Sequence, residues 1–149
     1  MDSPLLGAKL CFVSGLVFLF AGFFLRRAIL PSVDIYLHAT YFVVGHFQLF
    51  LLSSLALWIY GGMYYLGAKW LGLQFNNRLV IAQLGLTLAA LIGLNSAVYL
   101  RVVRVADNLA RPIFVRVGLL CVSLFLLGIV VFLAIFLLSS GEKLWRASA

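Results

Sequence analysis

The chain has 149 residues, of which 65% are hydrophobic and 10% charged, with a formal charge of +7 at neutral pH. So much apolar surface excludes an ordinary soluble globular domain, because a chain of this length cannot hide it, whereas a bilayer requires no hiding. Nor does the positive charge indicate a nucleic-acid partner: the basic residues stand at the ends of apolar runs and form no contiguous patch, so lipid headgroups or the anionic groups of a cofactor suit them better.

Four apolar runs are long enough to cross about 30 Å of hydrocarbon. The first covers about 8–30, "AKLCFVSGLVFLFAGFFLRRAIL", and carries Arg26 and Arg27 near its end. It is long for a signal peptide, and no small-residue cleavage site comes after it, so a retained span is expected. Pro31 and Ser32 then break the chain. The second run covers about 36–66, more than a bilayer requires, so it is expected to tilt or to project. "LGLQFNN", residues 71–77, leads to the third run at about 78–100, and "ADNLARP", residues 106–112, leads to the fourth at about 113–140. Pro112 suits the first turn of that last helix. Backbone groups in lipid must be satisfied within their own segment, so the runs predict helices. Short connections predict an up-down antiparallel arrangement in a single four-helix transmembrane domain over 1–149. Cys11 and Cys121 lie inside apolar runs without metal-ligand spacing and read as small buried hydrophobes.

With four spans, one side of the membrane holds Lys9, Lys69, Arg78, Lys143 and Arg146, and the other holds Arg26, Arg27, Arg101, Arg104, Arg111 and Arg116. The two sides are nearly balanced, so the positive-inside rule assigns no orientation. The second side is all arginine, the residue that forks onto carboxylates and phosphates.

"DIYLHATYFVVGHFQLF", at the start of the second run, is where polar groups interrupt the apolar pattern. An imidazole in a span is costly and usually has a partner. Some eight residues into that helix, His46 would lie about 12 Å from its start, and Gln48 would face about 200° away from it. Polar groups on both faces place that helix between two neighbours or two pockets. A hydrogen bond to a neighbouring helix would account for His46 as well as a flat apolar cofactor would, and His38 lies near the boundary, where polar side chains are ordinary. No clustered ligand set for zinc or copper, no Ser-His-Asp arrangement and no glycine-rich phosphate loop is present.

"LHATYFVVGHFQ", residues 37–48, resembles the helix-ten signature of subunit I of the haem–copper oxidases, the catalytic subunit of cytochrome c oxidase. "LVFLFAGFF" is similar to the ninth helix of that family. "GLQFNNRLVIAQLGLTLAALIGLNSAVYLR", with Gly93 and Asn95, is similar to its eleventh, and the run after "NLARP" to its twelfth. The resemblance implies one third of the family's twelve-helix ring. It implies that His46 is the proximal ligand of a haem iron, that His38 lies near the haem propionates, and that Arg111, with Arg104 and Arg101, binds those propionates. Gln48 stands where the family has the histidine ligand of a second haem, and Ala39 where it has an aspartate. The copper ligands and proton-path residues of the family lie on earlier helices without counterpart in these 149 residues.

The expectation is therefore an all-α membrane protein that binds a b-type or related haem, lacks copper and is not a complete oxidase on its own. It would serve electron transfer or gas or haem binding as a homo-oligomer, a trimer above all, because three arcs would rebuild a ring. The resemblance also implies a bacterial or archaeal inner membrane with both termini cytoplasmic. The alternative is a haem-free accessory subunit within a respiratory oxidase complex, or a chain whose missing helices come from another subunit.

Overall fold

The computed structural model describes residues 5–27, 33–37, 40–44, 46–103 and 111–148. Four helices dominate: α1 (Leu6–Arg27), α2 (His46–Lys69), α3 (Asn77–Val103) and α4 (Arg111–Ser148), with strands β1 (Val33–Leu37) and β2 (Thr40–Val44) between α1 and α2. Each helix contains a stretch long and apolar enough to cross a membrane, and only 22–39% of the most apolar window in each is buried inside the fold. The remaining apolar surface, including Phe20, Phe24, Leu119 and Leu137, faces outward. This is an integral membrane bundle with its outer surface matched to lipid.

Four serines of the spans satisfy their hydroxyls on their own helix. Ser53, Ser54, Ser123 and Ser140 each donate a hydroxyl hydrogen bond to the carbonyl four residues back, at 2.8–3.0 Å. The helix ends obey the local chemistry. Asn76 caps α3, its side-chain oxygen accepting from the Arg78 amide at 3.0 Å. At the end of α2, Gly72 adopts φ +60°, and the Leu73 amide closes back onto the Gly67 carbonyl at 3.0 Å. With the Leu71 amide also reaching back to the Leu66 carbonyl at 3.4 Å, this left-handed glycine ends the helix. Pro112 falls in the first turn of α4, as the sequence predicts.

The helices run up and down in two close pairs, α1 along α2 and α3 along α4, with lighter contact between α2 and α3 and between α1 and α3. A knot of rings joins the pairs. Phe132 of α4 lies 4.9 Å from Tyr60 and 5.1 Å from Tyr64 of α2, and Phe75, from the loop, lies 5.0 Å from Tyr64 and 5.9 Å from Phe136. Leu57, Tyr64, Val80, Phe132 and Cys11 form the buried centre beside this knot.

The second span differs from its expected bounds. The helix begins at His46, and residues 33–37 and 40–44 instead form an antiparallel ribbon in which Val33 pairs with Val44 and Leu37 with Thr40. The stretch is rich in β-branched and aromatic residues, which suit a pleated surface. A short apolar run of this kind cannot be told from helix by hydropathy alone.

Candidate functional site

The up-down course brings the start of α2, the end of α3 and the start of α4 to one end of the bundle. His46, Arg101 and Arg111 therefore share an end, with His46 as the first residue of α2 and Arg111 as the first of α4. His38 and Arg104 lie outside the described residues.

The opposite end fixes the membrane frame. Trp70 is 78% exposed just beyond α2. Beside it, the Lys69 ammonium donates to the Tyr65 hydroxyl at 2.8 Å, and the Lys143 ammonium donates to the Leu71 carbonyl. Tryptophan, tyrosine and lysine at one level mark a lipid–water boundary. His46 is 24 residues from Trp70, about 36 Å along the helix, and so stands at the far boundary of about 30 Å of hydrocarbon. The expected placement some eight residues inside the helix is replaced by one at its mouth, because the ribbon takes the residues that would have extended α2 outward.

Register places position 46 at the head of one row of α2. The row 46, 50, 53, 57, 60, 64 runs along one face of α2, and Ser53, Leu57, Tyr60 and Tyr64 on that row are all buried. Gln48 lies off it and is exposed. Position 46 thus opens the interior row, and Gln48 belongs to another face.

Below His46 the interior holds a polar ladder that sequence reading did not single out. On α3, Gln83, Thr87 and Asn95 are 1%, 0% and 5% exposed. Tyr64 donates to the Gln83 carboxamide oxygen at 3.4 Å, Gln83 donates to Thr87 at 3.0 Å, and Thr87 donates to the Gln83 carbonyl at 3.0 Å. Nearer His46, the Asn95 amide donates to Ser53 Oγ at 3.0 Å and to the Leu91 carbonyl at 2.8 Å. Asn95 Oδ1 is buried without a partner. The signal was available in the spacing, since residues 83, 87 and 95 fall on one side of α3, where a lipid-facing row would be apolar.

The donor chemistry available to a metal is narrow. Among the described residues, no group of three or more His, Cys, Asp or Glu could hold a bare ion. One imidazole suits an axial bond to a haem iron, and a carboxamide such as that of Gln48 is not among the usual axial ligands.

Residues 6–101 match the sequence profile of the family described as Cytochrome C and Quinol oxidase polypeptide I. The chain belongs to this family. The cytochrome c and quinol oxidase polypeptide I match runs from α1 to near the end of α3 and so includes the ribbon, His46 and the polar ladder. Among individual relatives, the protein is 36% identical to a cytochrome c oxidase subunit 1 of Debaryomyces hansenii over 79 residues. That stretch is 50% of this chain but only 14% of the yeast protein, so the chain spans a small part of its relative. No solved structure matches.

Proposed function

We propose that this chain is a membrane haem-binding member of the oxidase polypeptide I family, with His46 as the iron ligand. A haem held by one imidazole supplies an open axial position for a small gas, or a one-electron couple if a sixth ligand is added. The observation that carries the reading is the setting of position 46: it heads the buried row of α2 at the mouth of the bundle, within the family-matched segment. A cofactor held from that position has its apolar body toward the interior and its polar edge at the lipid–water boundary. The arginine-bearing ends of α1, α3 and α4 lie at the same level as counter-charges for haem carboxylates, with Arg101, Arg104, Arg111 and His38 as candidates. Gln48, on another face of the same turn, is suited to a neighbouring subunit or pocket, which supports a closed homo-oligomer such as a trimer. The reading calls for haem alone, with no copper.

A second reading is a haem-free subunit of a larger respiratory assembly. The glutamine at position 48, a carboxamide rather than an imidazole, favours it. One experiment separates the two. The detergent-purified chain is loaded with haem and its visible spectrum recorded, with metal analysis alongside. The expected result is a Soret band in the wild type, lost in His46→Ala and kept in Gln48→Ala. A colourless wild type, or an equal band in His46→Ala, overturns the haem reading and leaves the second. Stoichiometric copper in the preparation would point to a further chain completing an oxidase.

A further inference from the structure

The side of the bundle formed by α3 and α4 carries an apolar groove whose lining the haem reading does not use. At the arginine end the two helices part to form this groove, of about 240 Å³, lined by Leu94, Ala97 and Val98 of α3 and by Val115, Gly118 and Val122 of α4. Nothing lies within 4 Å of where a side chain at Gly118 would begin, so the groove is open at that point. The next position along the lining row of α3, three residues beyond Val98 and four beyond Ala97, is Arg101. The next along the lining row of α4, four residues before Val115, is Arg111. Helical rows repeat at three and four residues, so both rows of an apolar groove run out into arginine at the same end. Arg116, exposed on α4, adds a further cation there.

The level matters as much as the charge. Counting about 20 residues of hydrocarbon from the capped start of α3 at Asn77 reaches about position 97. The groove therefore straddles the boundary where acyl chains meet headgroups. An occupant must carry an apolar tail below that boundary and an anion at it. We infer that the α3–α4 groove is a binding site for an anionic phospholipid of the surrounding leaflet, with one acyl chain in the groove and the phosphate between Arg101 and Arg111. Arginine forks onto phosphate oxygens, and the row geometry brings one such residue from each helix to the mouth. The proposal competes with the haem reading for two residues: it takes Arg101 and Arg111 for the lipid and leaves Arg26, Arg27 and Arg104 for the carboxylates of a cofactor at His46.

The test is native mass spectrometry of the full chain in detergent, titrated with dioleoyl phosphatidylglycerol or dioleoyl phosphatidylcholine, which share their acyl chains. The wild type is expected to retain the anionic lipid roughly thirtyfold better, from two arginines at a surface site. The Arg101→Gln/Arg111→Gln double variant is expected to bring the two lipids to parity. Gly118→Leu fills the groove and should lower retention of both, while circular dichroism reports the same helix content. Adding millimolar inorganic phosphate should leave retention unchanged, since the tail anchors the ligand. Equal retention of the two lipids by the wild type, an undiminished preference in the double variant, or displacement by phosphate alone would each overturn the proposal.

Discussion

Replacing Gly93 by alanine tests how closely α3 and α4 are held. A Cβ at position 93 would meet the sulfur of buried Cys121 on α4 at 2.6 Å, well inside van der Waals contact. Two effects oppose each other. Alanine in place of a mid-helix glycine gains about 1 kcal/mol of helix propensity. Forcing a methyl group into a filled contact costs about 1–3 kcal/mol. Gly93→Ala alone should therefore destabilise by about 1 kcal/mol, the balance at the middle of that range. Cys121→Ala removes the obstructing sulfur and loses about 1 kcal/mol of packing. In that background the propensity gain is unopposed, so Gly93→Ala should stabilise by about 1 kcal/mol, a reversal of sign and a coupling of about 2 kcal/mol. The assay is reversible unfolding of the four proteins in mixed micelles of a mild detergent and dodecyl sulfate. If Gly93→Ala has the same effect in both backgrounds, within about 0.5 kcal/mol, position 93 does not abut Cys121 and this α3–α4 seam is wrong.

The interior supports two more expected outcomes. Phe132→Ala should cost about 3–5 kcal/mol, because it opens a cavity at the ring knot and removes contacts to Tyr60 and Tyr64 together; the same micelle assay measures it, and a loss below about 1 kcal/mol would dissolve the knot. Asn95→Leu should change stability by less than about 1 kcal/mol, since intramembrane hydrogen bonds average about 0.6 kcal/mol and the substitution also removes a buried oxygen that has no partner. A loss of several kcal/mol there would mean that Asn95 Oδ1 is paired after all.

The four crossings were legible because lipid allows few alternatives: an apolar run of sufficient length must satisfy its own backbone, and only a helix does so within one segment. The breaks were legible too: the stretch 71–77 leads into α3, where Asn76 caps the helix, and Pro112 falls in the first turn of α4. The start of α2 was not. Residues 33–44 are nearly as apolar as α2 itself, and their β-branched composition competes with a hydropathy signal that is blind to strand. That one misplacement moved His46 from partway down the helix to its mouth. The start of α2 still lies at the end of the bundle that holds the start of α4 and the end of α3, because up-down topology depends on the number of crossings and not on where each begins. The ladder of Gln83, Thr87 and Asn95 was visible as three polar letters in an apolar run, but which of them met α2 depends on the rotation of α3. Sequence does not specify that rotation.

The pairing of helices bears on how the chain is made. Because α1 packs along α2 and α3 along α4, each half can close its own seam as soon as its two segments have left the ribosome and entered lipid. Only the ring knot waits for the last segment, since Phe132 is its contribution from α4. Damage at that residue should therefore leave two sound hairpins, less firmly united because the α2–α3 bonds of Tyr64 to Gln83 and of Asn95 to Ser53 remain while the ring contacts are lost.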